Sequence, residues 1–339
     1  MNGTLYKSVP LSNDDMDLEC FRISDGRAYF TEHNRDDSSY RQTETVYQYT
    51  LATDERKVIY TGSDGERITK ITASGDHVVL RGGTNERSLI LHTLSTGSSQ
   101  VIFTSRDWIV DVNIDGDHIM WGCYRGDKGP GREIHVFTIS TKTDYIIPES
   151  KSVKTSGYGD ISGDNVVWDM LAKDPTYVNG IAVMGVSYDM KLTNLVSGRT
   201  QSIEQSDTAP ATNPFISGDT IAWVKRPTLD YNNSDTGIIR TYNITTGTFS
   251  DLAANVSGIS DFAHGVVLWS RMKPVSSWIT PLSGKIPDVT VTTPMPSASL
   301  VTTTVPKSTP SQKSPVDPGL IIAVLAAGGT GYALLHRRR

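Results

Sequence analysis

Cysteine is nearly absent. The 339 residues contain two, Cys20 and Cys123, about 100 residues apart. Two thiols cannot staple a chain of this size, and neither sits in a Cys-x-x-Cys pair or beside a histidine-rich segment. A disulfide scaffold, a zinc knuckle and a dithiol redox motif are therefore excluded as organising features. Two free buried thiols are expected in preference to one long-range bridge. Catalytic signatures are missing too: there is no Gly-x-Ser-x-Gly elbow and no His-Glu-x-x-His. The glycine-rich GDKGPGRE at 126–133 lacks the Lys-Ser/Thr ending of a phosphate-binding loop and reads as a hairpin tip. No catalytic, cofactor-binding or metal-ligating set is assigned from the sequence.

Positive charge is in short supply: 32 Lys and Arg stand against 37 Asp and Glu, a net −5. Setting aside the three terminal arginines leaves 29 against 37, or −8, which argues against a nucleic-acid partner. Long apolar runs are scarce as well. The one that stands out, LIIAVLAAGGTGYALL at 320–335, is followed by His336 and then Arg337, Arg338 and Arg339. An uncharged apolar stretch capped by a basic cluster predicts a membrane anchor over 319–336 with its arginines on the cytoplasmic side. Residues 287–318 are rich in Thr, Ser and Pro; such a stretch cannot build a core and reads as an extended stalk. Residues 1–286 are then a soluble head. The opening MNGTLYKSVPLSNDDMD has no basic start followed by an apolar stretch, so it is not a secretory signal. Either the sequence starts inside a longer protein or the head is cytoplasmic and tail-anchored; the stalk and the glycosylation triplets favour the first.

What the head does contain is a recurring phrase. It reads ISDGRAYF at 23–30, ASGDHVVL at 73–80, IDGDHIMW at 114–121, ISGDNVVW at 161–168, ISGDTIAW at 216–223 and FAHGVVLW at 262–269. Taking Gly26, Gly75, Gly116, Gly163, Gly218 and Gly265 as anchors, the intervals are 49, 41, 47, 55 and 47 residues. Each copy joins a tight turn, where glycine tolerates positive φ, to a β-branched and aromatic run that reads as a buried inner strand. An alternating strand follows, as in LILHTLSTGS from Leu89, and then a short third strand such as QVIFT from Gln100. With no convincing helical period, repeats of this length predict an all-β, six-bladed β-propeller, seven blades being the alternative for a longer chain. The segment Thr4–Ser12 is expected to pair into the last blade and close the ring.

The ISGDNVVW and ISGDTIAW phrases, each followed by a Tyr-x-(Leu/Ile)-x-Thr-Gly type of strand, are similar to the β-propeller repeats of archaeal, methanogen-type cell-surface proteins, a group related to TolB-like propellers. The likeness covers most of residues 20–285. The tail resembles a degenerate archaeosortase signal, with Pro318, Gly319 and Leu320 in the place of its sorting motif. The resemblance implies a propeller displayed at a cell surface.

Several residues remain to be weighed. The runs SNDDMD at 12–17 and NRDDSSY at 34–40 lack the spacing of a calcium loop and read as solvated connections. Asp76, Asp117, Asp164 and Asp219 recur with the fold and are expected to serve turns. His77 and His118 hold equivalent places in successive repeats, just after Gly-Asp, and are expected to be turn histidines on neighbouring blades rather than ligands of a metal at the central channel. Trp121, Trp168, Trp223 and Trp269 share one repeat position and are expected to pack between blades rather than line a glycan site. Asn-x-Ser/Thr triplets occur at Asn2, Asn232, Asn243 and Asn255, the last three within 24 residues. They suggest a glycosylated face on the fifth blade. The resulting expectation is a cell-membrane protein whose extracellular propeller binds a protein or glycan partner without chemistry of its own and without a cofactor. The alternatives are a hydrolase or lyase using carboxylates at the channel mouth, and a cytoplasmic tail-anchored scaffold.

Overall fold

The structure, a computed structural model, describes residues 16–34, 44–50, 52–63, 66–83, 87–124, 132–151, 158–171, 176–178, 181–183, 188–206, 211–226, 237–263, 266–272 and 275–281. The predicted stalk, anchor and basic tail lie outside these residues, as do the sorting triplet Pro318, Gly319 and Leu320, the arginines 337–339, Asn2, Asn232 and the segment Thr4–Ser12. Among the described residues no helix is long and apolar enough to cross a membrane.

Six antiparallel sheets follow one another along the chain. The first is β1 (Met16–Ser24), β2 (Arg27–Asn34), β3 (Thr45–Thr50) and β4 (Glu55–Thr61). The second is β5 (Lys70–Ser74), β6 (His77–Gly82), β7 (Ser88–Thr93) and β8 (Ser98–Thr104). The third is β9 (Ile109–Asp115), β10 (His118–Tyr124), β11 (Arg132–Thr138) and β12 (Thr143–Ile146). The fourth holds β13 (Gly159–Ser162) and β14 (Asn165–Leu171), then a separate hairpin of β15 (Thr176–Val178) and β16 (Ile181–Val183), then β17 (Tyr188–Asn194) and β18 (Arg199–Ser206). The fifth is β19 (Ala211–Ser217), β20 (Thr220–Lys225), β21 (Gly237–Asn243) and β22 (Thr248–Val256). The sixth has three described strands, β23 (Gly258–Ala263), β24 (Val266–Met272) and β25 (Val275–Pro281).

In one respect the strands differ from the sequence reading. The β-branched run after each tight turn is the second strand of its sheet, and the residues before the turn form another strand, the innermost. That strand was hidden because it mixes polar and apolar residues, as in ITASGD and VNIDGD. Its polar members are what the inner edges of the sheets present to one another.

The sheets pack in series. Val46 and Tyr29 of the first meet Ile68, Ile71 and Leu80 of the second, and Leu89 and Leu91 of the second meet Ile109, Trp121 and Phe137 of the third. Met120, Ile134 and Val136 then meet Ile161, Val166 and Trp168; Val167, Met190 and Leu192 meet Ile216, Ile221 and Trp223; Val224, Ile239 and Val256 meet Phe262, Val267 and Trp269. The second to fifth sheets therefore bury both faces, which explains why a second strand such as HVVLRG carries an unbroken buried apolar run, Val78, Val79 and Leu80, while an outer strand such as ERKVIYT is largely exposed. The four repeat tryptophans fill these wedges at 0–5% exposure, so they cannot form a glycan platform. Trp168 donates its indole N–H to Thr193 Oγ1 at 2.9 Å and Trp223 to Glu204 Oε2 at 3.1 Å. Cys20 and Cys123 are not joined in a disulfide: Cys20 Sγ donates to Ile68 O at 3.3 Å and Cys123 Sγ lies 3.2 Å from Ser105 Oγ. The series returns on itself at the inner strands, where Arg22 of β1 meets Asp261 of β23 at 3.3 Å across 239 residues of chain.

Candidate functional site

The two ends of the ring are built differently. At one end every sheet turns from its first strand to its second in two residues: 25–26, 75–76, 116–117, 163–164, 218–219 and 264–265. The third and fourth strands of the first five sheets are joined there by four residues each: 51–54, 94–97, 139–142, 195–198 and 244–247. This end is constant, and it is internally satisfied. Gly75, Gly116, Gly163 and Gly218 have φ between +54° and +57°, and each donates its N–H to the turn of the preceding sheet. The acceptors are Asp25 Oδ2, Ser74 Oγ, Asp115 Oδ2 and Ser162 Oγ, at 2.8–3.1 Å. Asp76 accepts from Ser95 N–H at 2.9 Å and from its hydroxyl, and Asp117 does the same with Ser140. These serine bonds hold both carboxyls below the usual range.

His118 sits at this end as well, directly after its tight turn. It begins β10, and its Nε2 lies 3.4 Å from Asp164 of the next sheet; His77 begins β6 in the same way. Among the described residues no three His, Cys, Asp or Glu side chains stand together as a metal site.

Along the axis one register position of each first strand carries Arg22, Thr72, Asn113, Asp160, Phe215 and Asp261. The carboxylates here are engaged. Asp160 accepts backbone N–H groups from Ile161 at 2.9 Å and, across the gap, from Ile216 of the next sheet at 3.0 Å. Asp111 accepts from Gly159 N–H at 3.0 Å and lies 3.8 Å from Lys70. Asp261 accepts from Phe262 N–H at 2.9 Å besides meeting Arg22. Burial pushes the Asp160 carboxyl up to about 7; its two backbone bonds pull the other way, Asp111 pushes it up and Arg22 pulls it down.

At the opposite end the connections from second to third strand vary widely: residues 35–44, 83–87, 125–131, 172–187, 226–236 and 273–274. The β15–β16 hairpin belongs to this end. Here too are the exposed rings that the repeat does not explain. Trp108, just ahead of β9, is 53% exposed; Tyr124 and Tyr158 are 36% and 38% exposed. Tyr124 is paired directly with Arg132 and donates its backbone N–H to Trp108 O at 3.4 Å, so Trp108, Tyr124 and Arg132 form a row across the ends of β9, β10 and β11. The Arg132 guanidinium lies over the Tyr124 ring at 4.3 Å and over the Tyr158 ring of the next sheet at 5.5 Å, and it donates to the Tyr124 hydroxyl.

Two of the glycosylation triplets fall on described residues, and the sheet separates them. Asn243 ends β21 at the constant end, half-buried, with its Oδ1 accepting both the N–H and the hydroxyl of Thr246 at 2.8 and 2.9 Å. Asn255 is exposed, at φ +60°, near the far end of β22. Nearness in sequence is not nearness in space here.

No family model matches the chain, and no curated protein matches it in sequence. Solved structures do. Over 78% of its length it resembles the tricorn protease at a TM-score of 0.58 and 14% identity, covering 29% of that chain. Over 79% it resembles the β-propeller domain of the Trilobed protease from Pyrococcus furiosus, at 0.56 and 14%, covering 85% of that chain. The chain folds as a β-propeller. A third likeness, to acylaminoacyl peptidase from Pyrococcus horikoshii, has a TM-score of 0.55 at 14% identity over 78% of this chain and 44% of that one. The propeller thus matches parts of the larger peptidases and most of an isolated propeller domain, and at these identities the likeness extends to the fold alone.

Proposed function

We propose that this chain is a membrane-tethered surface protein whose head is a closed six-bladed propeller acting as a binding module. The observation that carries this reading is the row of exposed rings at the variable end, set against axial carboxylates that each bond across to a neighbouring sheet. A rigid ring with one constant and one variable end suits recognition, because loops change there without disturbing the packing. Strand β25 runs toward the constant end, so a stalk leaving from that side presents the variable end outward. The sequence of residues 287–339 supports the tether: a Thr/Ser/Pro stalk, an apolar segment over 319–336 with Pro318, Gly319 and Leu320 at its start, and Arg337, Arg338 and Arg339 inside. The partner is a protein or glycan of the cell envelope, and Asn232, Asn243 and Asn255 are its candidate glycosylation sites.

The test is co-sedimentation of the full chain with envelope fractions from its source cells. Trp108→Ala combined with Tyr158→Ala is expected to weaken binding about tenfold or more while leaving the thermal midpoint within a few degrees. Undiminished binding by that variant overturns the reading. A second reading, a hydrolase or lyase, is favoured by one observation: the half-buried Asp160, its carboxyl raised to about 7 by desolvation and by Asp111, has the character of a general acid.

A further inference from the structure

Resting on the proposal that the variable end is the binding face, we infer that it takes an acidic polysaccharide, a chain of sugar rings bearing carboxylates, laid along the row from Trp108 to Tyr158. The side chains offered there are rings. Their aliphatic neighbours, Ile109 among them at 0% exposure, are buried beneath. Exposed rings stack on the C–H faces of sugars, whereas an anchor residue of a protein partner needs an apolar pocket to fill. Neighbouring strands lie about 4.8 Å apart, so Trp108, Tyr124 and Arg132 recur at a spacing comparable with the length of one sugar unit.

Arginines gather in the segments that form the row, in a chain that is net −5 overall. Arg106, two residues before Trp108, is exposed. Arg87 accepts the Ser105 N–H through its carbonyl at 2.9 Å, and its Nε is buried with no hydrogen-bond partner among the described residues. Ser105 in turn contacts Cys123, next to Tyr124, at 3.2 Å. Arg132 reaches both tyrosine rings, and Arg81 Nη1 donates to the Ile109 carbonyl, next to Trp108, at 3.0 Å; among the described residues the carboxylates that bear on Cys123 beside the row are Asp107, Glu133 and Asp144, of which Glu133 and Asp144 lie 3.9 and 3.0 Å from His135. Guanidinium is the cation best matched to a carboxylate, which it grips with two parallel bonds. Stacking supplies the platform and the arginines select for acid groups.

The experiment is affinity electrophoresis of the full chain through gels containing polygalacturonate, its fully methyl-esterified form, or no polymer. Polygalacturonate is expected to retard the protein; esterification, which removes the charge and keeps the sugar ring, is expected to weaken retardation about tenfold. Trp108→Ala, and separately Arg106→Glu at an exposed side chain that the fold does not need, are each expected to weaken it by a similar factor. Equal retardation by the esterified polymer, or wild-type behaviour of both variants, overturns the inference, as does tighter binding of single-stranded DNA or polyglutamate than of polygalacturonate. Envelope binding that depends on Trp108 and Tyr158 without any retardation by polygalacturonate sinks this inference and leaves the binding-module reading standing. Retardation that depends on Trp108 with envelope binding that does not has the converse meaning.

Discussion

Asp160 shows how one side chain is made to serve the ring at a cost that depends on pH. Its carboxyl ties β13 to β19 by accepting the Ile216 N–H, yet desolvation at this half-buried site pushes it up to about 7. A carboxyl raised in the fold contributes stability that is complete below its unfolded value near 4 and is lost as the pH climbs through 7. Replacing it by Asn removes the titration. Asp160→Asn also trades one acceptor for an amide N–H, a fixed penalty at every pH. Relative to that variant, the wild type is therefore expected to lose about 3 kcal/mol between pH 5 and pH 8, at 1.36 kcal/mol per unit. Urea midpoints of both proteins at the two pH values measure this directly, and a difference that stays constant with pH contradicts it.

Among the elements, the sheets were largely legible because each copy of the phrase carries its own turn chemistry and its own apolar run. The interval of 55 residues between Gly163 and Gly218 was the one long outlier, and the β15–β16 hairpin at the variable end accounts for it. The first strands were less legible, since their alternate residues face the axis and read as loop. The exposed row was not legible at all. Trp108, Arg132 and Tyr158 lie outside the repeated phrases, and only the register of β9, β10 and β11 brings the row together. Close approach of elements is also invisible in sequence, although Gly159 records it. A Cβ at Gly159 would lie 2.5 Å from Val167 O, whereas one at Gly163 would meet nothing within 4 Å and suffers only from its positive φ. Gly159→Ala is thus expected to cost roughly 2–3 kcal/mol by forcing β13 from β14, and Gly163→Ala about 1 kcal/mol. Paired chemical denaturation settles the order, and a reversed order contradicts the packing described.

Across the whole molecule, packing runs between consecutive sheets, and the meeting of first and last is marked by the Arg22–Asp261 pair, whose partners are 34% and 39% exposed. A pair so exposed adds little to global stability; its effect is local. Asp261→Ala is expected to speed amide exchange in β1, β2, β23 and β24 by about tenfold while β10 and β11 keep their protection, and uniform acceleration across all sheets would contradict this. The same serial order bears on biosynthesis. As the chain emerges from the ribosome, each completed blade finds the surface it needs on the blade made just before it. An arc can accordingly grow blade by blade during translation, and the one event that must wait for the rest is the docking of the newest blade onto the oldest.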